Sequence, residues 1–426
     1  MANASAQLDL SQGDQQMLCG AQGPSREFAM SMLVRVANCV GASRLIDISQ
    51  AHLVGCYYGG PGDLHLVEKL IGSGAEVAVP TTLNASSADL YQHNLYESGS
   101  AEVKDTCKVV KCYQGIGARV ELTCAPYHLP DVPALGESIA WAESNAIVYA
   151  NSVLGARTNK TFQYLDLCAA LTGRMPEFGF YCSEERRAVN VYQLVDIPDH
   201  WFLDDAFYQL LGLCIGVRTG SDVPVIDGLP NFVNEDQLRG LGASAAASGS
   251  LAMFHAVGLT PEAPTLDAAL QYQPPTRIEA ISAADIVAMK QQVSTRDSGP
   301  LSTVCLGTPH FSRAEFEQVL QLLDGRHVAA TVDFYVTTSR HVFKKLEQDG
   351  LLDDLQQAGL QVVTDTCTYH GSLVKHRAGV IMTASGKWAY YAPGNLGVDV
   401  LFATVADCVN SAIAGEVVYD KSFWCC

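Results

Sequence analysis

The sequence is short of positive charge. Lys and Arg number 27 against 45 Asp and Glu, a formal net charge of −18 over 426 residues. A surface of that sign repels polyanions, which argues against nucleic acid as a partner. No apolar run reaches the roughly 18 residues needed to cross a bilayer, so no membrane span is expected. The opening "MANASAQLDLSQGDQQ" has neither the basic nor the apolar segment of a secretory leader, and the expected location is cytoplasmic. The short catalytic signatures are missing as well. No stretch has the glycine spacing of a phosphate-binding loop or a dinucleotide fingerprint, and there is no GxSxG and no HExxH. Zinc-ribbon CxxC pairs are absent too. Nucleotide-dependent chemistry and zinc hydrolysis are therefore not expected.

Apolar residues are plentiful. They make up 48% of the chain against 17% charged, which supports sizeable cores and argues against disorder. The length suits two or three domains. The 14 cysteines, spread through a large chain without a leader, do not read as a disulfide framework. Most are expected to be small buried hydrophobes, with three or four carrying chemistry. The tail "KSFWCC" ends in a Cys pair but lacks the polybasic neighbour that lipid anchoring usually needs.

Helical and strand-like periodicities alternate along the chain, the pattern of an α/β architecture. Residues 13–42 read as helix ending near Gly41, "SRLIDISQAH" as a short strand, 93–117 as a second helix and "ARVELTC" as a second strand. From residue 300 the alternation is cleaner. "LSTVCLG", "HVAATVDFYVTT", "LQVVTDTC" and "AGVIMTAS" read as strands between helices, which predicts a doubly wound, mainly parallel sheet. Such sheets bind ligands at the carboxyl ends of their strands, where "GTPHFS", "TTSR", "DTCTYH" and "TASGK" fall. The Pro-rich stretch 259–280 marks a boundary. The expected division is an N-terminal α/β domain over 1–185, a middle α/β region and linker over 186–280, and a C-terminal doubly wound α/β domain over 281–426.

Cys124 and Cys367 each close a strand-like run. Each is either an ordinary buried thiol or a soft ligand for iron or an iron–sulfur cluster. Cys408, Cys305 and Cys56 are the candidate third ligands, although Cys408 falls on a predicted helix. The stretch "ESNAIVYANSVLGARTNK" is rich in polar groups: Glu143, Ser144, Asn145, Asn151, Ser152, Arg157, Thr158 and Asn159. Arg157 has the bidentate fork for a carboxylate or phosphate, and the alternative is a helix followed by a capped turn. His52, His255 and His310 end apolar runs, where a lone His is commonly a hydrogen-bonded structural residue.

Together, "AH" with a downstream "GD", "TTLN", "TCAPY", "ANSVLGARTN", "LTGRMPEFG", "SGSLAMFHAVGLTPEA", "LGTPHFS", "TTSR" and "DTC" resemble the aconitase X family over residues 10–415. The resemblance implies an aconitase-like core of about three α/β domains around a central cleft, without a swivel domain. It implies a hydro-lyase acting on a small hydroxylated carboxylic acid, such as a 3-hydroxyproline or a phosphomevalonate-like substrate. Cys124 and Cys367 would hold an iron–sulfur cluster or mononuclear iron, with Cys408 as third ligand. His52, Asp63, Ser339 and Lys387 become the candidate catalytic residues. Asn84, Ser144, Asn145, Arg157, Thr158, Asn159, His255, His310 and Arg340 become the candidates for holding substrate.

Family members carry a small swivelling domain, fused or as a separate subunit, that closes the site. The chain ends soon after the large-subunit pattern, so a small swivel-domain partner and a cleft open on one side are expected. Two other readings stay open: a stand-alone isomerase or cyclase acting on an isoprenoid-like substrate, and a non-catalytic scaffold.

Overall fold

The computed structural model describes residues 8–92, 95–96 and 100–424. The terminal Cys pair, and part of the start of the helix expected over 93–117, lie outside the described residues. Three α/β units follow one another along the chain.

In the first unit, the strands Thr81–Leu83, Ala51–Leu53 and Ala140–Trp141 lie side by side in that order, all parallel. The helices Pro24–Val40, Pro61–Gly72, Ala101–Gly115 and Leu165–Thr172 accompany this sheet. Gly41 ends the first of them with φ 73°, a left-handed cap that glycine adopts without strain. The expected strand "ARVELTC" does not form. Arg119 N–H donates to the Thr81 carbonyl and Thr123 N–H to the Leu83 carbonyl, but between them Glu121 N–H turns back to the Arg119 carbonyl. That three-residue turn breaks the ladder. Cys124 therefore sits in a loop alongside the sheet, ahead of the short turn Pro126–His128.

The second unit is a four-stranded parallel sheet, ordered His255–Ala256, Pro224–Asp227, Asn190–Val195, Arg277–Ser282. The expected cut at 280/281 falls inside its last strand. The small-residue run "GLGASAAAS" lies in the helix Glu235–Ser248, packed closely against Asp205–Thr219. A Cβ at Gly212 would lie 2.2 Å from the Leu241 carbonyl oxygen, so a glycine is what permits this spacing.

The third unit is a five-stranded parallel sheet, ordered Leu360–Val363, Asp333–Thr338, Leu301–Phe311, Val380–Thr383, Asp399–Phe402. Chain order reverses between Leu301–Phe311 and Val380–Thr383, giving the doubly wound topology with its ligand crevice at the carboxyl ends of those strands. His310 lies at one such end, and Thr364–Cys367 and Ala384–Lys387 follow two others. The first unit meets this crevice directly. Ser86 N–H donates to the Asp365 carbonyl at 2.6 Å, and Ala85, Cys124 and Cys367 pack together as a small buried cluster. No helix among the described residues is long and apolar enough to cross a membrane.

Candidate active site

Cys124 from the first unit and Cys367 and His310 from the third converge. Their ligating atoms lie within 4.8 Å of one another, and all three residues are buried. The His310 backbone N–H donates to Cys124 Sγ at 3.3 Å. The hydrogen bonds of the imidazole fix its tautomer. Nε2 lies 3.0 Å from the Thr366 carbonyl, which can only accept, so Nε2 carries the proton. Nδ1 then accepts from the Thr123 hydroxyl at 3.0 Å. The His310 carbonyl accepts from Arg239 at 2.6 Å, and Arg239, itself buried, is paired with Glu315 at 2.5 Å. The imidazole is thus held at both ring nitrogens and at its backbone.

Burial alone would raise the Cys124 thiol. The contact with Cys367, together with His310 and Lys387 nearby, brings it down to about 6 instead. The same contact with Cys124, then burial, pushes Cys367 well up. The two thiols thus shift in opposite directions, Cys124 down and Cys367 up, and Cys124 Sγ also accepts from the His310 N–H. Two sulfurs form a soft donor pair that fits iron or an iron–sulfur centre, and the imidazole Nδ1 would join them by giving up the Thr123 hydroxyl. The Thr366 carbonyl supplies the outer hydrogen bond that ligating histidines commonly have.

Cys124 and Cys367 also line a cavity of 200 Å³, with Glu143, Asn84, Tyr369 and His370 among its other walls. Glu143 is the N-cap of the helix Ser144–Tyr149. Its Oε1 accepts from Lys387 Nζ at 2.6 Å, Asn145 Nδ2 at 2.8 Å and Ser144 Oγ at 3.2 Å, and its Oε2 from Asn84 Nδ2 at 3.2 Å. Burial would raise this carboxyl, but the Lys387 ammonium and the Asn145 bonds outweigh it and hold Glu143 at about 2. Lys387 is correspondingly raised despite its burial and stays an ammonium. Asn145 also donates to the Cys124 carbonyl at 2.9 Å, tying the carboxylate corner to the thiols. His52 lies beside this corner, with Nδ1 2.8 Å from Thr82 Oγ1 and Nε2 buried without a partner among the described residues, and burial holds it neutral with a pKa of about 4.

Of the residues expected from sequence, the fold brings Cys124, Cys367, His310, Asn84, Ser144, Asn145, Lys387 and His52 together. It places the rest elsewhere. Cys408 lies on the helix Val405–Ala414 in the third unit's apolar core, where burial drives its thiol well up. His310 occupies the third corner in its place. Cys305 and Cys56 are likewise core residues. Arg157 donates to the Tyr181 carbonyl at 2.6 Å and Ser183 Oγ at 2.8 Å, which makes it a loop tie. Thr158 bonds both backbone groups of Trp141, and Asn159 those of Phe178 and Phe180. His255 is bound to the Arg186 carbonyl at 2.7 Å inside the second unit. Asp63 bonds Gly59 N–H and the Tyr164 hydroxyl at the start of its helix. Ser339 caps the helix Arg340–Gln348, and Arg340 forms a bidentate pair with Asp365 at 2.5 and 2.6 Å. Glu143, His370 and Tyr369 were not singled out from sequence as site residues. Their one local signal is position: "AWAE" ends a short strand, and "TYH" follows directly on "DTC".

Family models match all three units: the aconitase X first domain over residues 7–184, the second over 189–291 and the third over 301–414. The chain belongs to the aconitase X family. Aconitase X relatives include a cis-3-hydroxy-L-proline dehydratase of Pseudomonas aeruginosa, 41% identical over 408 residues, spanning 95% of this chain and 70% of that protein. A phosphomevalonate dehydratase large subunit of Methanothermobacter thermautotrophicus is 34% identical over 92% of this chain and 96% of its own length. The crystal structure of Thermococcus kodakaraensis aconitase X in its holo form superposes with a TM-score of 0.85 at 28% identity, covering 95% of this chain and 100% of that one. The aconitase X core is therefore present across all three units.

Proposed function

We propose that the chain is the catalytic core of a hydro-lyase that removes water from a small hydroxylated carboxylic acid of the 3-hydroxyproline kind. The observation that carries this reading is that Cys124 and Cys367, with His310 behind them, form a soft-donor corner on the same cavity as an ionised Glu143. Iron or an iron–sulfur centre held by Cys124, Cys367 and His310 would supply Lewis acidity toward the departing hydroxyl. The surrounding residues bind, orient and move protons. Lys387 is committed to Glu143 and stays protonated, so it anchors that carboxylate rather than accepting a proton. His370 lines the cavity with a buried Nδ1 that has no partner among the described residues, and burial keeps it neutral with a pKa of about 4. It is the candidate acceptor for the proton next to the substrate carboxylate. A scaffold would have no use for a buried ion pair lining a cavity, since its desolvation costs more than an apolar pair of the same shape.

The hydroxyproline kind is favoured over the phosphorylated kind by charge. Lys387, the cation nearest this corner, is already neutralised by Glu143. A small swivel-domain partner is part of the proposal. Tyr57, at the cavity wall, is 46% exposed, and dehydration needs a closed, water-poor site. The domain division proposed is 1–185, a middle unit carried through the strand Arg277–Ser282 and the helix Ala283–Val293, and a third unit from Leu301. The proposed setting is the cytoplasm. The decisive assay incubates the chain with cis-3-hydroxy-L-proline and with phosphomevalonate, each with and without a candidate small partner, and follows product by mass loss of water. Dehydration of the first, strengthened by the partner, is expected. No loss of water from either substrate under any condition would sink the reading.

A further inference from the structure

Two residues of the cavity wall, Glu143 and Asn84, each keep an acceptor that is not fully used among the described residues. Glu143 Oε1 is saturated by Lys387, Asn145 and Ser144, whereas Oε2 takes a single long bond from Asn84. Asn84 spends its Nδ2 on that bond, and its Oδ1, on a residue 7% exposed, has no partner among the described residues. The orientation of the amide is not arbitrary, because turning it over would set Oδ1 against the carboxylate. Buried acceptors without donors are costly and call for a ligand. A carboxylate already bound to Lys387, Asn145 and Ser144 is an anchor rather than a base. Around the two acceptors stand the rings of Tyr57 and Tyr369, with His370 edge-on to both at 5.1 and 4.7 Å. A carboxylate, an amide oxygen and tyrosine rings suit an organic cation.

From this geometry we infer that Glu143 and Asn84 are specificity residues that bind the protonated secondary amine of the substrate, one N–H going to Glu143 Oε2 and the other to Asn84 Oδ1. A ring ammonium has two N–H groups, matching the two open acceptors. The inference rests on the dehydratase reading for its substrate class. It explains why an α-amino hydroxy acid would be selected over a hydroxy acid of the same size without nitrogen. The substrate carboxylate and hydroxyl remain free to face the thiol and imidazole corner.

The test measures binding of unreactive probes to the purified full chain by titration calorimetry. L-Proline offers two N–H donors, N-methyl-L-proline offers one and cyclopentanecarboxylate none. Each charge-assisted bond lost should weaken binding about tenfold. The expected order is therefore L-proline, then N-methyl-L-proline about tenfold weaker, then cyclopentanecarboxylate about a hundredfold weaker. Asn84→Ala should remove the first step of that series, and Glu143→Gln should compress the whole of it. A ratio between L-proline and cyclopentanecarboxylate below about tenfold in the unaltered chain overturns the inference, as does failure of L-proline to bind. Should Glu143→Gln fail to fold, the wild-type series and Asn84→Ala still decide. None of the probes has a hydroxyl to lose, so failure here is distinct from failure of dehydration.

Discussion

Cys124 and Cys408 are buried to nearly the same degree, 3% and 0% exposed, yet they occupy opposite electrostatic settings. Cys408 lies in the third unit's apolar core, and burial, with Asp407, Cys305 and Asp204 adding to it, drives the thiol well up. Around Cys124, where the first and third units meet, a second thiol, an imidazole and an ammonium act together and the thiol is drawn down to about 6. Burial therefore does not distinguish a core cysteine from a candidate ligand. What does is which charges and donors the fold assembles beside it. The same holds for ion pairs. Arg340–Asp365 stitches the crevice loops, whereas Lys387–Glu143 faces a cavity.

The sharpest way to break this comparison is metal content. Cys124→Ser and Cys367→Ser should each lose bound iron almost completely. Cys408→Ala should retain it in full, while losing about 1–2 kcal/mol of stability for the small void left in the core. Elemental analysis with urea unfolding reads both. Iron retained in Cys367→Ser, or lost in Cys408→Ala, would erase the distinction.

Next in size is the ion pair in the cavity. Lys387→Met leaves Glu143 buried and unpaired and should cost about 3–5 kcal/mol. The double variant Lys387→Met/Glu143→Leu should recover most of that loss while remaining inactive. If the single variant unfolds in urea like the wild type, the pair is not as buried as the structure places it.

The pH profile sharpens the same point. Glu143 is held at about 2 against an ordinary 4.5, so it binds its proton less readily folded than unfolded. Its contribution is fully present above about pH 4.5 and is lost as pH falls through about 2, amounting to about 3 kcal/mol. The Lys387→Met/Glu143→Leu chain should lose that part of its acid sensitivity. Parallel stability curves for the two proteins between pH 5 and pH 2 would contradict it (both limits about where the titration begins and ends).

The smallest effect is expected at Arg157, whose donors serve Tyr181 and Ser183. Arg157→Ala should lower stability by about 1 kcal/mol through the lost hydrogen bonds and leave probe binding unchanged. A tenfold loss of L-proline binding would return Arg157 to the site.

Much of the fold is legible along the chain because its signals are local. The doubly wound third unit follows from strand and helix periodicities, and in the structure Ser312 and Thr404 cap two of its helices. The missing strand before Cys124 was not legible. Its β-like composition gives no warning of the Glu121 turn, which answers to the neighbouring strand's edge.

The site divides the same way. Legible in the chain itself is the chemistry available: two thiols closing strand-like runs, a lysine behind "TASG", and the polar segment opening with Glu143. Pairing was decided only by the tertiary structure. His310 and Cys408 each lie near a predicted strand or helix end, and nothing local tells which one meets Cys124 across 186 positions of chain. Glu143 and Lys387 are 244 positions apart and become a pair only when the first unit's helix start closes on the third unit's sheet. Local periodicity fixes which face of an element is buried, but a hydrogen-bonded ion pair or a metal–ligand bond needs its partners in direct contact, so only the folded arrangement of the three units decides which groups share one.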